Sequence, residues 1–218
     1  MAWDIRSGSW KEPEMDLIPF AIKEGDTVID IGANYGMYCY ALSRAVGRRG
    51  KVFAFEALPS TSDTLSFILK ILALKNVELI KKGCSDENGV VNFTVPLQKN
   101  GAVSAGQVHV DGRRNERNGK EKHFRFEKTK TVPCEVVRID DALPDLKNVS
   151  LIKCDIEGAD LLALRGAKKT IERNHPVVIC EINPWFMQGF GLKVENLVEE
   201  FFGPRGIVTG KQIGRAHV

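Results

Sequence analysis

Short unbroken apolar runs alternate along this chain with longer stretches in which apolar residues recur every third or fourth position. The first pattern predicts buried strands and the second amphipathic helices. Residues 27–31 predict a first strand, apolar around Asp30, and residues 35–46 a helix closing at Gly47. Residues 51–55 predict a second strand, terminated by Glu56. Pro59, Ser60 and Thr61 then open a helix of LSFILKILAL type that stops near Asn76. Residues 77–80 form a third strand, which leaves through GCSDENG. A fourth core strand at 150–155 is followed by the helix LLALRGAKKTIERN. Pro176 starts a fifth strand, VVICEI, and residues 194–202 form a last amphipathic helix. Strands alternating with helices in this way predict an α/β fold, a mostly parallel sheet with helices on both faces.

Residues 90–140 break the rhythm. VVNFTV, HFRFEK and TVPCEVVRI alternate apolar and polar positions, as half-exposed antiparallel strands do, and the segment between them is rich in Gly, Asn and Arg. They read as a β-rich insertion between the third and fourth core strands, too small to carry its own core. The expected organisation is one domain over residues 1–211, with 1–24 as a lead-in. The tail QIGRAHV is unlike anything before it. IGRAHV is what ATC GGA AGA GCA CAC GTC encodes, a common sequencing-adapter read. Residues 212–218 are therefore expected to be non-native, and the natural chain to continue past Lys211.

Composition narrows the function only a little. The net charge of +3 argues for neither nucleic acid nor membrane binding. Residues 111–130 hold eight Lys/Arg against four acids, leaving −1 for the rest, and a solvated hairpin accounts for that better than an anion site. The five cysteines are scattered, with no CxxC pair. They fit a reducing, cytoplasmic setting and suggest no metal site. No segment resembles a signal peptide or a bilayer span.

The chemistry collects where strands end. TVIDIGANYGMY runs from a strand through a glycine turn into a helix, which places backbone N–H groups and a positive helix end near a ligand. A Walker loop is excluded, because no lysine follows the turn. A dinucleotide fold is disfavoured, because Ala33 and Asn34 stand between Gly32 and Gly36 and the GxGxxG spacing is lost. Asp30 is poorly placed for a pyrophosphate but suits a cationic amino-acid ligand; the alternative is a carboxylate that caps the turn. Glu56 can accept two ribose hydroxyls. Ser85 or Asp86 can meet an adenine amino group, or Asp86 can simply make a turn. Lys153, Asp155 and Glu157 fall within five residues at the sheet's switch point. Glu157 capping the next helix and Lys153 pairing with Asp155 are compatible with catalysis there. S-adenosylmethionine, a sulfonium with an ammonium and an adenosine, fits this set.

VIDIGANYGMY, VFAFEALPST, GCSDENG, LIKCDIEGADLLALRGA and PVVICEI, in that order, resemble the FkbM-type S-adenosylmethionine-dependent methyltransferases over roughly residues 12–200. The resemblance implies the class I methyltransferase (Rossmann-like) sheet, strand order 3-2-1-4-5 with an antiparallel pair beyond. It also implies methyl transfer to a hydroxyl, commonly on a sugar, polyketide or related small molecule. The chain departs from the family pattern at Ala57, where a proline is usual, and at Asp160, where a glutamate is usual. The final strand pair should follow near Ile207, so it is expected to be truncated, leaving residues 177–182 as an open sheet edge.

The expected cofactor-binding residues are Asp30, Gly32, Ala33, Asn34, Gly36, Glu56, Ala57, Ser85, Asp86 and Asp155. Asp155 is also expected nearest the transferring methyl, as base or as positioner, with Glu157 or Lys153 orienting it. No third ligand completes a metal site with Asp155 and Glu157. The acceptor should be shaped by residues 10–20, by residues 96–130 and by the loop holding Trp185 and Phe186, which either stack on it or pack in the core. A nicotinamide-dependent oxidoreductase and a non-catalytic nucleoside-binding module are the rival readings.

Overall fold

The computed structural model describes residues 5, 12–97, 108–111 and 128–202. Its centre is a five-stranded sheet built from β1 (Thr27–Ile31), β2 (Lys51–Phe55), β3 (Val77–Ile80), β8 (Val149–Cys154) and β9 (Val177–Cys180). The spatial order is β3-β2-β1-β8-β9 and every pairing is parallel. This is the expected class I order, and β9 forms the edge among the described residues. The strand pair expected near Ile207 and the tail 212–218 lie outside them.

Both faces of the sheet are covered, which is why its central strands read as continuous apolar runs. On one face Val28, Val52, Leu151 and Ile179 pack against α1 (Ile18–Ala21) and α2 (Met37–Val46). Beside them Ala54 meets α3 (Pro59–Ile71) through Leu65 and Leu69. On the other face Ile29, Ile31, Phe53, Phe55, Ile152 and Cys154 meet three helices. These are α4 (Ile139–Ala142), α5 (Asp160–Gly166) and the start of α6 (Lys168–Asn174). Alternation along each strand therefore assigns Asp30 and Lys153 to the α2 face and Ile31 and Cys154 to the α5 face.

Three expected helices differ in detail. The helix expected at 35–46 begins at Met37, because Gly36 holds φ +85° and ends the turn. The helix expected to stop near Asn76 ends at Ile71, and Asn76 instead donates to the carbonyls of Ser43 and Gly47 at 3.0 and 2.9 Å. The helix expected over 161–174 is split at Ala167 into α5 and α6. Gly166 explains the break: a Cβ there would lie 2.0 Å from the Ser85 carbonyl oxygen, so only glycine lets that loop press on the helix end. Past β9, α7 (Pro184–Met187) and α8 (Val194–Leu197) are single turns, and Val198–Phe202 continues α8 as a π turn.

The insertion folds as a second, four-stranded sheet, in the order β4-β7-β5-β6. β5 (Gly89–Leu97) runs antiparallel to β7 (Lys128–Val137), where two alternating strands were expected. The third expected strand, HFRFEK, lies outside the described residues except for Lys128. β4 (Gly83–Cys84) and β6 (His109–Val110) were not expected, since two residues are too few for alternation to show. The insertion's buried centre, Val95 and Cys134, closes only with Leu58 from the loop after β2, so the two sheets share apolar packing.

Candidate functional site

The carboxyl ends of β1, β2, β4 and β8 open into a cavity of about 680 Å³, within the usual range for small-molecule sites. The second sheet supplies its far wall through Val91, Phe93 and Val136. The turn after β1 is pinned backbone to backbone: the N–H groups of Gly32 and Ala33 both donate to the Phe55 carbonyl, at 3.0 and 2.9 Å. Gly32 sits at φ +75°, and a Cβ there would come within 2.3 Å of the Asp155 carbonyl oxygen. Two strand ends converge at this glycine. Asn34 is left-handed at φ 49° and turns its N–H toward the Glu56 Oε2, 3.0 Å away.

Glu56 holds both carboxylate oxygens in place. Oε2 accepts from Asn34 and Oε1 accepts from the Leu58 N–H at 3.0 Å. Each oxygen keeps a second lone pair, so the carboxylate can still accept two hydroxyls from the cavity. Burial pushes its pKa up, opposed by those two N–H groups. Asn34 lines the same space, and its Oδ1 is buried without a hydrogen-bond partner.

At the other end, the Lys153 ammonium lies 3.2 Å from the Gly32 carbonyl oxygen, 3.6 Å from Asp30 and 3.9 Å from Asp155. It also sits over the Tyr38 ring at 4.8 Å. Burial pulls the lysine's pKa down, but Asp30 and then Asp155 outweigh it, so the ammonium is held above its ordinary range. Asp155 keeps 38% of its side chain exposed and lines the cavity beside Glu157.

The FkbM methyltransferase domain profile matches residues 30–202. The chain belongs to the FkbM methyltransferase family. The family uses S-adenosylmethionine, the cofactor the sequence led us to expect, and Glu56, Asn34 and the Gly32 turn fit such a group. The chain is 28% identical over 198 residues to Methyltransferase sdnD of Sordaria araneosa, covering 79% of this chain and 71% of that one. It is 27% identical over 158 residues to Methyltransferase 1 of Beauveria bassiana, covering 69% of this chain and 61% of the relative. Among solved structures, methyltransferase FkbM of Methylobacillus flagellatus KT superposes with a TM-score of 0.52 at 16% identity, covering 86% of this chain and 44% of that one. That likeness shows the fold.

Among the residues expected at the site, Gly32, Ala33, Asn34, Glu56, Ala57, Ser85, Lys153, Asp155 and Glu157 all line the cavity. Three expected contacts lie elsewhere. Asp30 is fully buried beneath the floor, on the α2 face, and meets Lys153 and Cys39. Gly36 touches Leu65 and shapes the helix start, away from the cavity. Asp86 is not part of the lining: its side chain accepts from the Ser85 hydroxyl at 3.2 Å and its carbonyl accepts from Arg138 at 2.6 Å. The cap residue of α5 is Ala159, and Asp160 receives the Gly158 N–H at 3.3 Å.

Several lining residues escaped the sequence reading. Tyr38 and Glu12 meet at the floor, the phenol donating to the Glu12 carboxylate at 3.1 Å. His109, Asp111 and Phe190 line the walls. Among these only Glu12 and the 108–111 segment fall in stretches expected to shape the acceptor. Trp185 and Phe186 are absent from the lining, and Phe186 packs on Gly158. Among the described residues no helix is long and apolar enough to cross a membrane.

Asp160 offers a pH test of the α5 face. Burial, and next the Asp155 carboxylate, push its pKa up to about 6 from 3.8. A carboxyl whose folded pKa is raised stabilises fully below the unfolded value, and that contribution is lost as pH rises through the folded one. Asp160→Asn is therefore expected to leave stability unchanged near pH 3.5 and to raise it at pH 8 by at most about 3 kcal/mol. Thermal denaturation at the two pH values reads this directly.

Proposed function

We propose that this chain is an S-adenosylmethionine-dependent O-methyltransferase acting on a hydroxyl of a small molecule, a sugar, polyketide or related scaffold. The observation that carries the reading is one cavity holding both a doubly anchored Glu56 and the Lys153–Asp155 pair. S-adenosylmethionine, when bound, supplies an electrophilic methyl on a sulfonium. Glu56 accepts the ribose hydroxyls, and Ala33, Asn34, Ala57 and Ser85 complete the nucleoside side. Asp155 takes the proton of the acceptor hydroxyl, and Lys153 holds that carboxylate in place. Glu157 faces the same space and helps to orient the acceptor. Residues 1–211 work as one domain, with the apolar face of the second sheet over the acceptor.

Calorimetry tests the cofactor half. Micromolar binding of S-adenosylhomocysteine with no NAD(P) binding is the expected result, and the reverse would point to an oxidoreductase. Methyl transfer from labelled S-adenosylmethionine to an alcohol panel tests the reaction; binding without turnover would favour a non-catalytic module. Glu56→Ala should weaken S-adenosylhomocysteine binding by about 1–3 kcal/mol, because two hydrogen bonds to a charged group are lost. An unchanged affinity would remove Glu56 from the site.

A further inference from the structure

We propose that Asp30 is a positioning residue that holds the Lys153 ammonium in place beneath Asp155 and the Gly32 turn, rather than a contact for the cofactor. This rests on the cavity being the S-adenosylmethionine site. β1 and β8 pair in parallel with Asp30 directly opposite Lys153, and alternation puts both side chains on the α2 face. The ion pair therefore follows from strand register. Asp30 is fully buried and absent from the cavity lining, whereas Lys153 reaches it. One Asp30 oxygen lies 3.6 Å from the Lys153 Nζ, an ionic contact without a hydrogen bond, and the other accepts from the Cys39 thiol at 3.3 Å.

From that anchor the ammonium spans three groups that build the site. It donates to the Gly32 carbonyl at 3.2 Å, lies 3.9 Å from Asp155 and rests over the Tyr38 ring. The charged and titratable groups around it are Asp30, Asp155, Cys154 and Glu12, with Tyr38 and Cys39 from α2. Sheet stability alone does not call for this pair, since an apolar pair of similar volume in a parallel sheet interior is usually at least as stable. What the pair adds is a fixed positive charge under a carboxylate that is 38% exposed.

The test needs no acceptor. The side-chain carbon resonances of labelled lysine report each amine's titration, and Lys153 is assigned by its disappearance in Lys153→Met. In the unmodified chain Lys153 is expected to stay protonated through the range where ordinary lysines titrate, near about 10.4. Asp30→Asn should lower its midpoint by roughly 1–3 pH units, and Asp155→Asn should lower it less, being farther away and partly solvated. In Asp30→Asn, S-adenosylhomocysteine affinity should stay within about threefold, since losing a direct charged hydrogen bond would cost about tenfold or more. An unmoved Lys153 midpoint, or a tenfold loss of cofactor affinity, overturns the proposal. If Asp30→Asn does not fold, Lys153→Met and the double variant decide instead. Removing the carboxylate should restore several degrees of the melting temperature lost in Lys153→Met, and a double variant no more stable than Lys153→Met would overturn the pairing. Failure of the cofactor reading itself would appear separately, as no binding of S-adenosylhomocysteine by the unmodified chain.

Discussion

Asp155→Asn is expected to reduce methyl transfer by about 10²–10⁴-fold, the range for losing a positioned general base, while S-adenosylhomocysteine affinity changes little. The carboxylate lies at the cavity surface, 38% exposed, with Lys153 on its inner side. Its main chain is already committed, since its N–H donates to the Ile31 carbonyl at 3.2 Å. The isosteric amide keeps the shape and the backbone contacts and removes only the proton acceptor. Single-turnover transfer of a labelled methyl group to an accepted alcohol, beside calorimetry with S-adenosylhomocysteine, separates the two effects. Equal losses in transfer and in cofactor affinity would make Asp155 a binding residue and leave the base unassigned.

Gly32→Ala is expected to damage both the fold and the site. Its φ of +75° is a left-handed conformation, and the added Cβ would meet the Asp155 carbonyl at 2.3 Å and the Ile156 side chain at 2.8 Å. The backbone carbonyl cannot move without unpairing the ends of β1 and β8. Conformational strain and overpacking together make a loss of about 2–4 kcal/mol, visible as a lower melting temperature and weaker cofactor binding. Gly36→Ala is a useful comparison. Its φ of +85° is similar, but the nearest atom is the Leu65 Cδ1 at 2.5 Å, the far end of a side chain that can rotate. The Gly36 variant should therefore be the milder of the two, and an equal loss would mean that conformation alone sets the effect.

The sequence by itself determined a mostly parallel sheet, the glycine turn after the first strand, Glu56 at the end of the second and the Lys153-to-Glu157 run after the fourth. Each of these is a local signal: a run length, a turn residue, or a charge that interrupts an apolar stretch. The side Asp30 faces was not legible, because a strand covered on both faces carries no polar alternation to mark the cavity. Only the pairing of β1 with β8 set it against Lys153, across 122 intervening residues. Tyr38 and Phe93 reached the cavity from an amphipathic helix and a hairpin strand that looked like ordinary surface or core, and Glu12 and His109 from stretches expected only in outline to shape the acceptor. Tertiary structure likewise set Gly36 against Leu65, outside the cavity lining, and gave Gly32 a second reason to be glycine. Backbone pattern decides where chain ends meet, but which side chains then share one space depends on register and on the helix lying across them.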